Sequence, residues 1–251
     1  MQAFLKKLKS MLKVDFKRMF TMPLVYIMAG VSFAMPILIL VMTTMMGGEG
    51  EAAAEGFTNV WQSIGSVSGG AMGMDLTSMC NINMLYFLVA VLVCVFVADD
   101  FRSGYAKNLF TVRSKKVDYV ASKSLVTFVG ATIMFVAYFI GAMIGGAIAG
   151  LPFATEGFGA GGIVACMLSK IFMTAIFVSI GVLLGTVAKQ KLWLSILGSF
   201  AAGMLLFTMI PMISPLDSSI INVIMCFAGG ALFAVGLGAV SNVILNKTSL
   251  V

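Results

Sequence analysis

The chain has 251 residues, of which 60% are hydrophobic and 10% are charged. A soluble domain carries about 45–50% apolar and about 25% charged residues, so this composition predicts a polytopic membrane protein. The net charge of +6 comes from Lys and Arg confined to short segments between apolar runs, which excludes a nucleic-acid surface and is typical of cytoplasmic loops. The chain has no His and its four Cys stand far apart, which excludes His-based catalysis and predicts neither a disulfide framework nor a metal site.

The N-terminal residues 1–22 predict an amphipathic helix. At about 100° per residue Lys6, Lys13 and Lys17 fall opposite an apolar side, which is made of Phe4, Leu8, Met11, Leu12, Phe16 and Met19. Such a helix either lies flat on the inner leaflet, with its apolar side in lipid, or also meets a cytoplasmic partner. Asp15 lies within the apolar side, so we expect it to pair with Arg18 or with a basic residue of segment 102–116.

Six apolar stretches are long enough to form transmembrane helices, because a hydrocarbon core of about 30 Å requires about 20 residues. The sequence therefore predicts an all-α membrane protein with a single transmembrane domain over residues 1–251. The predicted spans are residues 23–46, 81–98, 123–150, 169–188, 192–210 and 220–245. The long segment 47–80 between the first two spans is expected to form short interfacial helices.

The distribution of basic residues predicts the orientation of these spans. Of the 16 Lys and Arg, all but Lys170 lie in segments 1–22 and 99–123, in the short turn after the fourth span, or at the C-terminus. Basic residues near span ends are retained in the cytoplasm, so both termini are predicted to be cytoplasmic. Lys170 falls on the opposite side, where its long stem is expected to reach the outer interface.

The loop at residues 99–122, between the second and third spans, combines charge with aromatic side chains. Gly104 is expected to end the second span, so that "YAKNLFTV" can form a short helix parallel to the membrane. Because Arg and aromatic residues together are typical of protein interfaces, the loop is interpreted as a contact surface rather than as a solvated connector.

This loop resembles the one found in the membrane subunits of ATP-binding-cassette (ABC) exporters of the type-2 permease class. The resemblance rests on Asp99-Asp100-Phe101-Arg102-Ser103-Gly104-Tyr105, then Asn108-Leu109-Phe110, Arg113-Ser114-Lys115 and Lys123. The six-span plan, amphipathic start and chain length are similar to the family as well. Two departures are that the acidic position is usually Glu, and that the connection between spans five and six is short.

The resemblance implies a multi-pass permease of the bacterial cytoplasmic membrane that forms an export pathway for an amphipathic peptide, drug or lipid-like cargo. It implies two copies of a separate ABC ATPase, which bind ATP and Mg, and a second permease subunit as homodimer or heterodimer partner, all among membrane lipids. The loop helix would then be a coupling helix. The implied ATPase-interface residues are Asp15, Asp100, Phe101, Arg102, Gly104, Tyr105, Asn108, Leu109, Phe110 and Arg113.

The sequence also weighs against other function classes. It contains no G-x-x-x-x-G-K-[ST] motif, so the chain is not expected to bind ATP by a P-loop or to be an enzyme. Its spans contain almost no ionisable residue, which disfavours an intramembrane hydrolase, and no charged ring indicates a channel. The remaining alternative is a non-transporting membrane scaffold or an immunity or sensor protein.

Glycines four residues apart are expected to let helices pack closely within the chain. The pairs are Gly141 and Gly145, Gly146 and Gly150, and Gly181 and Gly185.

Overall fold

The structure, a computed structural model, describes residues 2–46, 57–67, 81–111, 115–155, 157–207 and 209–247. Within these ranges the chain is helical and contains no strand. The α-helices in chain order are α1 (Gln2–Thr21), α2 (Pro23–Met46), α3 (Leu85–Arg102), α4 (Tyr105–Thr111), α5 (Lys116–Ala149), α6 (Gly159–Ala188), α7 (Leu192–Phe207), α8 (Ile210–Ile213) and α9 (Ile220–Lys247).

Five of the described helices are long and apolar enough to cross a membrane. They are α2, α3 together with the turn that precedes it, α5, α6 and α9. The predicted fifth span corresponds to α7, which has 16 residues. At about 1.5 Å per residue, a helix of that length falls short of a bilayer core of about 30 Å.

Two of the long helices begin before the predicted spans. Helix α5 begins at Lys116 rather than at residue 123, and α6 begins at Gly159 rather than at residue 169. The prediction used apolar character, which marks the part of a helix suited to lipid. In α5 the backbone hydrogen bonds continue the helix through the more polar residues 116–122, whereas the extra residues 159–168 of α6, GAGGIVACML, are apolar and rich in glycine.

Helix α1 packs along α5 with its predicted apolar side. Met19 is fully buried, Met11 is 9% exposed, and Asp15 between them is also fully buried. The sulfur of Met19 lies only 3.2 Å from the point that a Cβ on Gly130 would occupy. Met11 and Met19 are therefore covered by protein, whereas Leu8, Leu12 and Phe16 of the same side are half-buried. The side chain of Phe4 lies outside the described part.

Small residues allow the long helices to approach closely. A Cβ at Gly141 of α5 would lie 2.1 Å from the carbonyl oxygen of Phe33 on α2, and one at Gly185 of α6 would lie 2.7 Å from the side chain of Val97 on α3. The expectation of close packing within the chain is confirmed for Gly141, Gly145, Gly181 and Gly185. Gly150 instead ends α5 with a φ of +68° and nothing within 4 Å of a built Cβ.

The same contacts fix the relative directions of neighbouring helices. Helices α2 and α5 run in the same direction, and so do α3 and α6, whereas α7 runs opposite to α6. The contacts are Phe33 with Gly141 and Ile37 with Gly145, Val93 with Gly181 and Val97 with Gly185, and Leu184 with Gly198 and Phe177 with Gly203.

The two ends of α5 mark two ends of the bundle. We call the end that carries α1, α4 and the turn at 189–191 the basic end, and the one formed by 57–67, 151–155 and 209–219 the far end. At the far end Val60–Ser63 forms a 3-10 turn, and the Trp61 Nε1 donates to the carbonyl of Phe153 at 3.2 Å. Because Val60 and Ile64 are fully buried, segment 57–67 packs against the bundle. The rest of the predicted interfacial segment, residues 47–56 and 68–80, lies outside the described residues.

Candidate functional site at the basic end

The chain reverses between α3 and α4 through a turn centred on Gly104. The backbone N–H of Ser103 donates to the carbonyl of Asp99 at 2.9 Å and closes α3. Gly104 then has a φ of +73°, a left-handed conformation that side chains with a Cβ rarely adopt. Helix α4 follows directly, where the sequence predicted a short helix.

A cluster of ionised side chains lies beneath this turn. We define the charge cluster as Asp15 and Arg18 of α1, Asp99 and Asp100 of α3, and Lys123 of α5. The Nζ of Lys123 lies 2.8 Å from Asp15 Oδ1 and 2.7 Å from Asp100 Oδ2, and all three side chains are fully buried. Arg18 donates to Asp100 Oδ1 at 2.5 Å and to Asp99 Oδ2 at 3.2 Å. The cluster therefore ties three helices together by direct ion pairs.

Neutral hydrogen bonds complete the buried carboxylates. The hydroxyl of Ser122 donates to Asp15 Oδ2 at 2.5 Å, and the hydroxyl of Tyr119 donates to Asp100 Oδ2 at 2.8 Å. Every oxygen of the two buried carboxylates thus has a donor. Buried charges are tolerated when they are both paired and fully hydrogen-bonded, and this cluster meets both conditions.

Aromatic rings surround the two cations of the cluster. The Arg18 guanidinium lies 4.0 Å from the ring centroid of Tyr105, the first residue of α4. The Lys123 ammonium lies 4.0 Å from the centroid of Phe96 on α3. Helix α4 is thereby attached to the charge cluster through Tyr105, since a cation above a ring face is attracted to it.

The charge cluster also shifts the pKa of Tyr105, the first residue of α4. Burial raises the pKa of the Tyr105 phenol, and the carboxylates of Asp15 and Asp100 raise it further. Burial lowers the pKa of Arg18, but the charge and hydrogen bond of Asp100, together with the charges of Tyr105 and Asp99, raise it by more, so the net pKa is raised. The contact between α1 and α4 thus joins a neutral phenol to a permanent cation near neutral pH.

A sequence model of the ABC-2 family transporter proteins matches residues 12–205, which include the charge cluster, α4 and the helices that hold them. The chain belongs to the ABC-2 family of transporter proteins. No curated protein and no solved structure matches it significantly. Membership makes the chain a multi-pass transmembrane transporter subunit, and it implies association with an ABC ATPase.

In this ABC-2 protein the predicted interface residues differ in burial. Asp15, Asp100 and Phe101 are buried, with Phe101 only 9% exposed. Tyr105, Leu109 and Phe110 are half-buried, the last packing edge-on to Tyr119 at 5.3 Å between ring centroids. Gly104 is half-buried in the turn, Arg102 and Asn108 are exposed, and Arg113 lies outside the described residues. The predicted aromatic and aliphatic anchors therefore hold α4 to its own bundle.

The partner of Asp15 differs from both sequence expectations. Arg18, one expected partner, binds the carboxylates of α3, and no residue of segment 102–116 pairs with Asp15 in the described part of the chain. The cation that pairs with Asp15 is instead Lys123 of α5. The sequence prediction treated Lys123 only as the basic start of the third span. The sequence features that could have indicated this pair are a carboxylate in the apolar side of one helix and a lysine that precedes the apolar part of another.

The exposed face of α4 is polar. We define it as Lys107, Asn108 and Thr111 of the helix, together with Arg102 at the end of α3 and Ser103 in the turn before α4, all of which are exposed. Arg102 Nε donates to the carbonyl of Gln190 at 3.3 Å, so the turn between α6 and α7 lies beside this face. The face is thus braced on its inner side by half-buried apolar residues and on one edge by the neighbouring turn.

A second buried lysine lies towards the far end, where the sequence predicted an interfacial side chain. Lys170 of α6 is fully buried and donates to Asn83 Oδ1 at 2.7 Å and to Ser214 Oγ at 3.2 Å. The hydroxyl of Tyr86 donates to the Lys170 carbonyl at 3.0 Å. The expectation that this side chain extends to the outer interface is therefore wrong, because it is enclosed by polar groups of the chain.

Proposed function

We propose that this chain is the membrane subunit of an ATP-driven exporter and that an ABC ATPase docks on the exposed face of α4. The charge cluster supports this most directly, because it connects the short helix through Tyr105 to α1, α3 and α5. A force applied to α4 would reach three helices through ion pairs and hydrogen bonds, in which each oxygen of Asp15 and Asp100 has a donor. A solvated connector needs no such attachment.

The proposed complex contains two such permeases, identical or similar, and two ATPase subunits that supply ATP and Mg, because closed two-fold assemblies are the commonest. This chain itself would hydrolyse nothing. The proposed location is a bacterial cytoplasmic membrane with the basic end inside. The proposed cargo is an amphipathic peptide, drug or lipid-like molecule, since the 21 Met residues offer side chains that adapt to varied apolar partners.

We further propose six crossings with both termini cytoplasmic, with α7 as the short fifth span. The alternating directions of α6 and α7, and the shared directions of α2 with α5 and of α3 with α6, support that path. A single cysteine at Lys107 should be protected from an impermeant reagent in intact cells and react after permeabilisation. Labelling in intact cells would contradict the proposed orientation.

The decisive experiment compares Tyr105→Ala with Lys107→Ala in the reconstituted complex. Tyr105→Ala removes the ring that Arg18 contacts, and we expect weaker recovery of the ATPase or ATP turnover that no longer responds to cargo. Lys107→Ala removes one charge of the docking face itself, which as an exposed ion pair is worth at most about 1 kcal/mol, so ATPase recovery should fall only slightly and cargo stimulation should persist.

The result also separates the transporter from the alternative of a scaffold, immunity or sensor protein. A transporter requires that candidate cargo stimulate ATP hydrolysis by the complex in vesicles. A complex that binds the ATPase but shows no stimulated hydrolysis with any member of an amphipathic cargo panel would favour the scaffold. Full stimulation in Tyr105→Ala would contradict the coupling role of α4.

A further inference from the structure

The exposed side of α1 has no partner among the described residues. Because the apolar side packs on α5, the side that faces outwards carries Lys9, Lys13 and Lys17, all exposed. Residues four apart lie above one another on a helix, about 6 Å apart along the axis, so the three lysines form one row. We call this row the lysine ridge.

The lysine ridge takes no part in the ion pairs among the described residues. Arg18 and Lys123 bind the carboxylates of the charge cluster, while none of the three ridge lysines forms a salt bridge with any described residue. Their positive charge is therefore directed away from the bundle. This charge is therefore available to bind an anionic surface.

The position of α1 brings this ridge to the entry of the first span. Asp15 lies opposite Ser122, and Met19 lies opposite Gly130, so α1 follows α5 towards its apolar part. Helix α1 ends at Thr21, and the membrane-spanning α2 begins at Pro23. The ridge thus approaches the level where lipid headgroups meet the bundle. Val14 and Phe20, 44% and 37% exposed, supply apolar surface on the same side.

The residue type distinguishes a lipid from a protein partner. Protein interfaces are enriched in Arg and depleted in Lys, whereas rows of flexible basic side chains next to a span attract anionic headgroups. We propose that Lys9, Lys13 and Lys17 bind the phosphate groups of anionic lipids in the leaflet at the basic end. This contact would hold α1 at the leaflet by charge, while Met11 and Met19 of its apolar side are buried against the bundle.

The test measures how anionic lipid stabilises the full-length chain in nanodiscs. The melting temperature is compared between phosphatidylcholine alone and phosphatidylcholine containing phosphatidylglycerol, at low and high salt. We expect phosphatidylglycerol to raise the melting temperature at low salt and less at high salt, because exposed charges are screened. The triple variant Lys9→Gln, Lys13→Gln, Lys17→Gln should lose most of that rise.

Two matched variants test the assignment. Lys107→Gln, Lys191→Gln, Lys247→Gln removes the same charge from exposed positions elsewhere at the basic end and should keep the rise. Replacing the three ridge lysines by Arg should also keep it, which separates loss of charge from loss of folding. In a lipid titration, we expect the ridge Gln variant to need roughly tenfold or more additional phosphatidylglycerol for half of the effect.

Four outcomes would overturn the proposal. The first is an unchanged rise in the ridge Gln variant, and the second is an equal loss in the control triple, which would mean a diffuse effect of net charge. The third is an equal stabilisation by inorganic phosphate in phosphatidylcholine nanodiscs, which would assign the ridge to a free anion. The fourth is a loss of the co-purifying ATPase from the ridge Gln variant that the ridge Arg variant does not show, with the rise equal in both, which would assign the ridge to a protein.

Discussion

Lys123 and Lys170 are both fully buried in long helices, but their surroundings differ in kind. Lys123 lies between two carboxylates, Asp15 and Asp100, and beneath the ring of Phe96. Lys170 has neutral acceptors, the amide oxygen of Asn83 and the hydroxyl of Ser214, and no carboxylate within 4.0 Å in the described part of the chain.

This difference separates two ways of holding a helical bundle together. At the basic end the ion pairs join α1, α3 and α5 and reach α4 through Tyr105, so displacement of one helix strains all of them. Towards the far end neutral hydrogen bonds join α6 to the start of α3 and to the loop after α8. The comparison predicts that the basic end is sensitive to any change of charge, and that the far end is sensitive to the loss of single hydrogen bonds.

The largest expected effect comes from Lys123→Met, which leaves the buried Asp15 without a cation and takes one of two cations from Asp100. Removing one partner of a buried ion pair costs about 3–5 kcal/mol, so we expect strongly reduced expression and thermal stability in detergent. The double variant Asp15→Leu with Lys123→Met should recover much of this loss, because Arg18 still neutralises Asp100. If the single variant is as stable as the unsubstituted chain, the ionic account of the basic end is wrong.

Lys170→Met should have a smaller effect. It leaves the amide oxygen of Asn83 without its donor, at a cost of about 1–3 kcal/mol, but it also removes a buried charge that has no described counter-ion. We therefore expect a lower melting temperature than that of the unsubstituted chain and a higher one than that of Lys123→Met. The reverse order of the two melting temperatures would refute the contrast between the two ends.

Phe110→Ala and Leu109→Ala test the attachment of α4 to the basic end. Both side chains pack against the buried core, so truncation should loosen α4 by about 1–3 kcal/mol and weaken ATPase recovery or cargo-stimulated turnover. Co-purification and ATP turnover at equal membrane expression are the measurements. Lys116 is a poor control, because its Nζ donates to the carbonyl of Leu245 at 2.5 Å, whereas the exposed Lys247 lies outside the exposed face of α4 and is a suitable one.

Substitution of two glycines with similar backbone conformations, one at each end of the bundle, allows the two ends to be compared at equal backbone strain. Gly104 and Gly150 have φ values of +73° and +68°, and a Cβ on either would meet nothing within 4 Å. Valine at either position should therefore lower stability by a similar amount, about 1–2 kcal/mol, through backbone strain alone. Only Gly104→Val should also impair ATPase recovery, because it redirects α4. Equal ATPase recovery in the two variants would show that the direction of α4 is unimportant.

The smallest expected effect is that of Lys107→Gln. The side chain is exposed and forms no ion pair with the described residues, so the change in stability should lie within about 0.5 kcal/mol. A large loss of ATPase binding in this variant would show that the exposed charges of α4, rather than its attachment to the bundle, dominate the binding free energy of the ATPase. A matching loss in Lys191→Gln would instead indicate a diffuse electrostatic contact.

The sequence by itself determined the class of the protein and most of its helices. Apolar runs long enough for a bilayer identify the spans, because a backbone in lipid must satisfy its own hydrogen bonds. Gly104 identified the turn before α4, because few other residues adopt its positive φ. The glycine pairs indicated close helix packing, because a missing Cβ is a local property visible in the chain itself.

Only the tertiary structure decided which groups meet. Asp15 and Lys123 are 108 positions apart, and their pairing depends on α1 packing along α5 rather than lying in lipid. The half-buried state of Leu109 and Phe110, and the enclosure of Lys170, likewise depend on neighbouring helices distant in sequence. Composition and periodicity report how each segment partitions between water and lipid. The choice among apolar surfaces of similar hydropathy, whether lipid, partner protein or the chain's own helices, is made by shape and by the position of a matching charge.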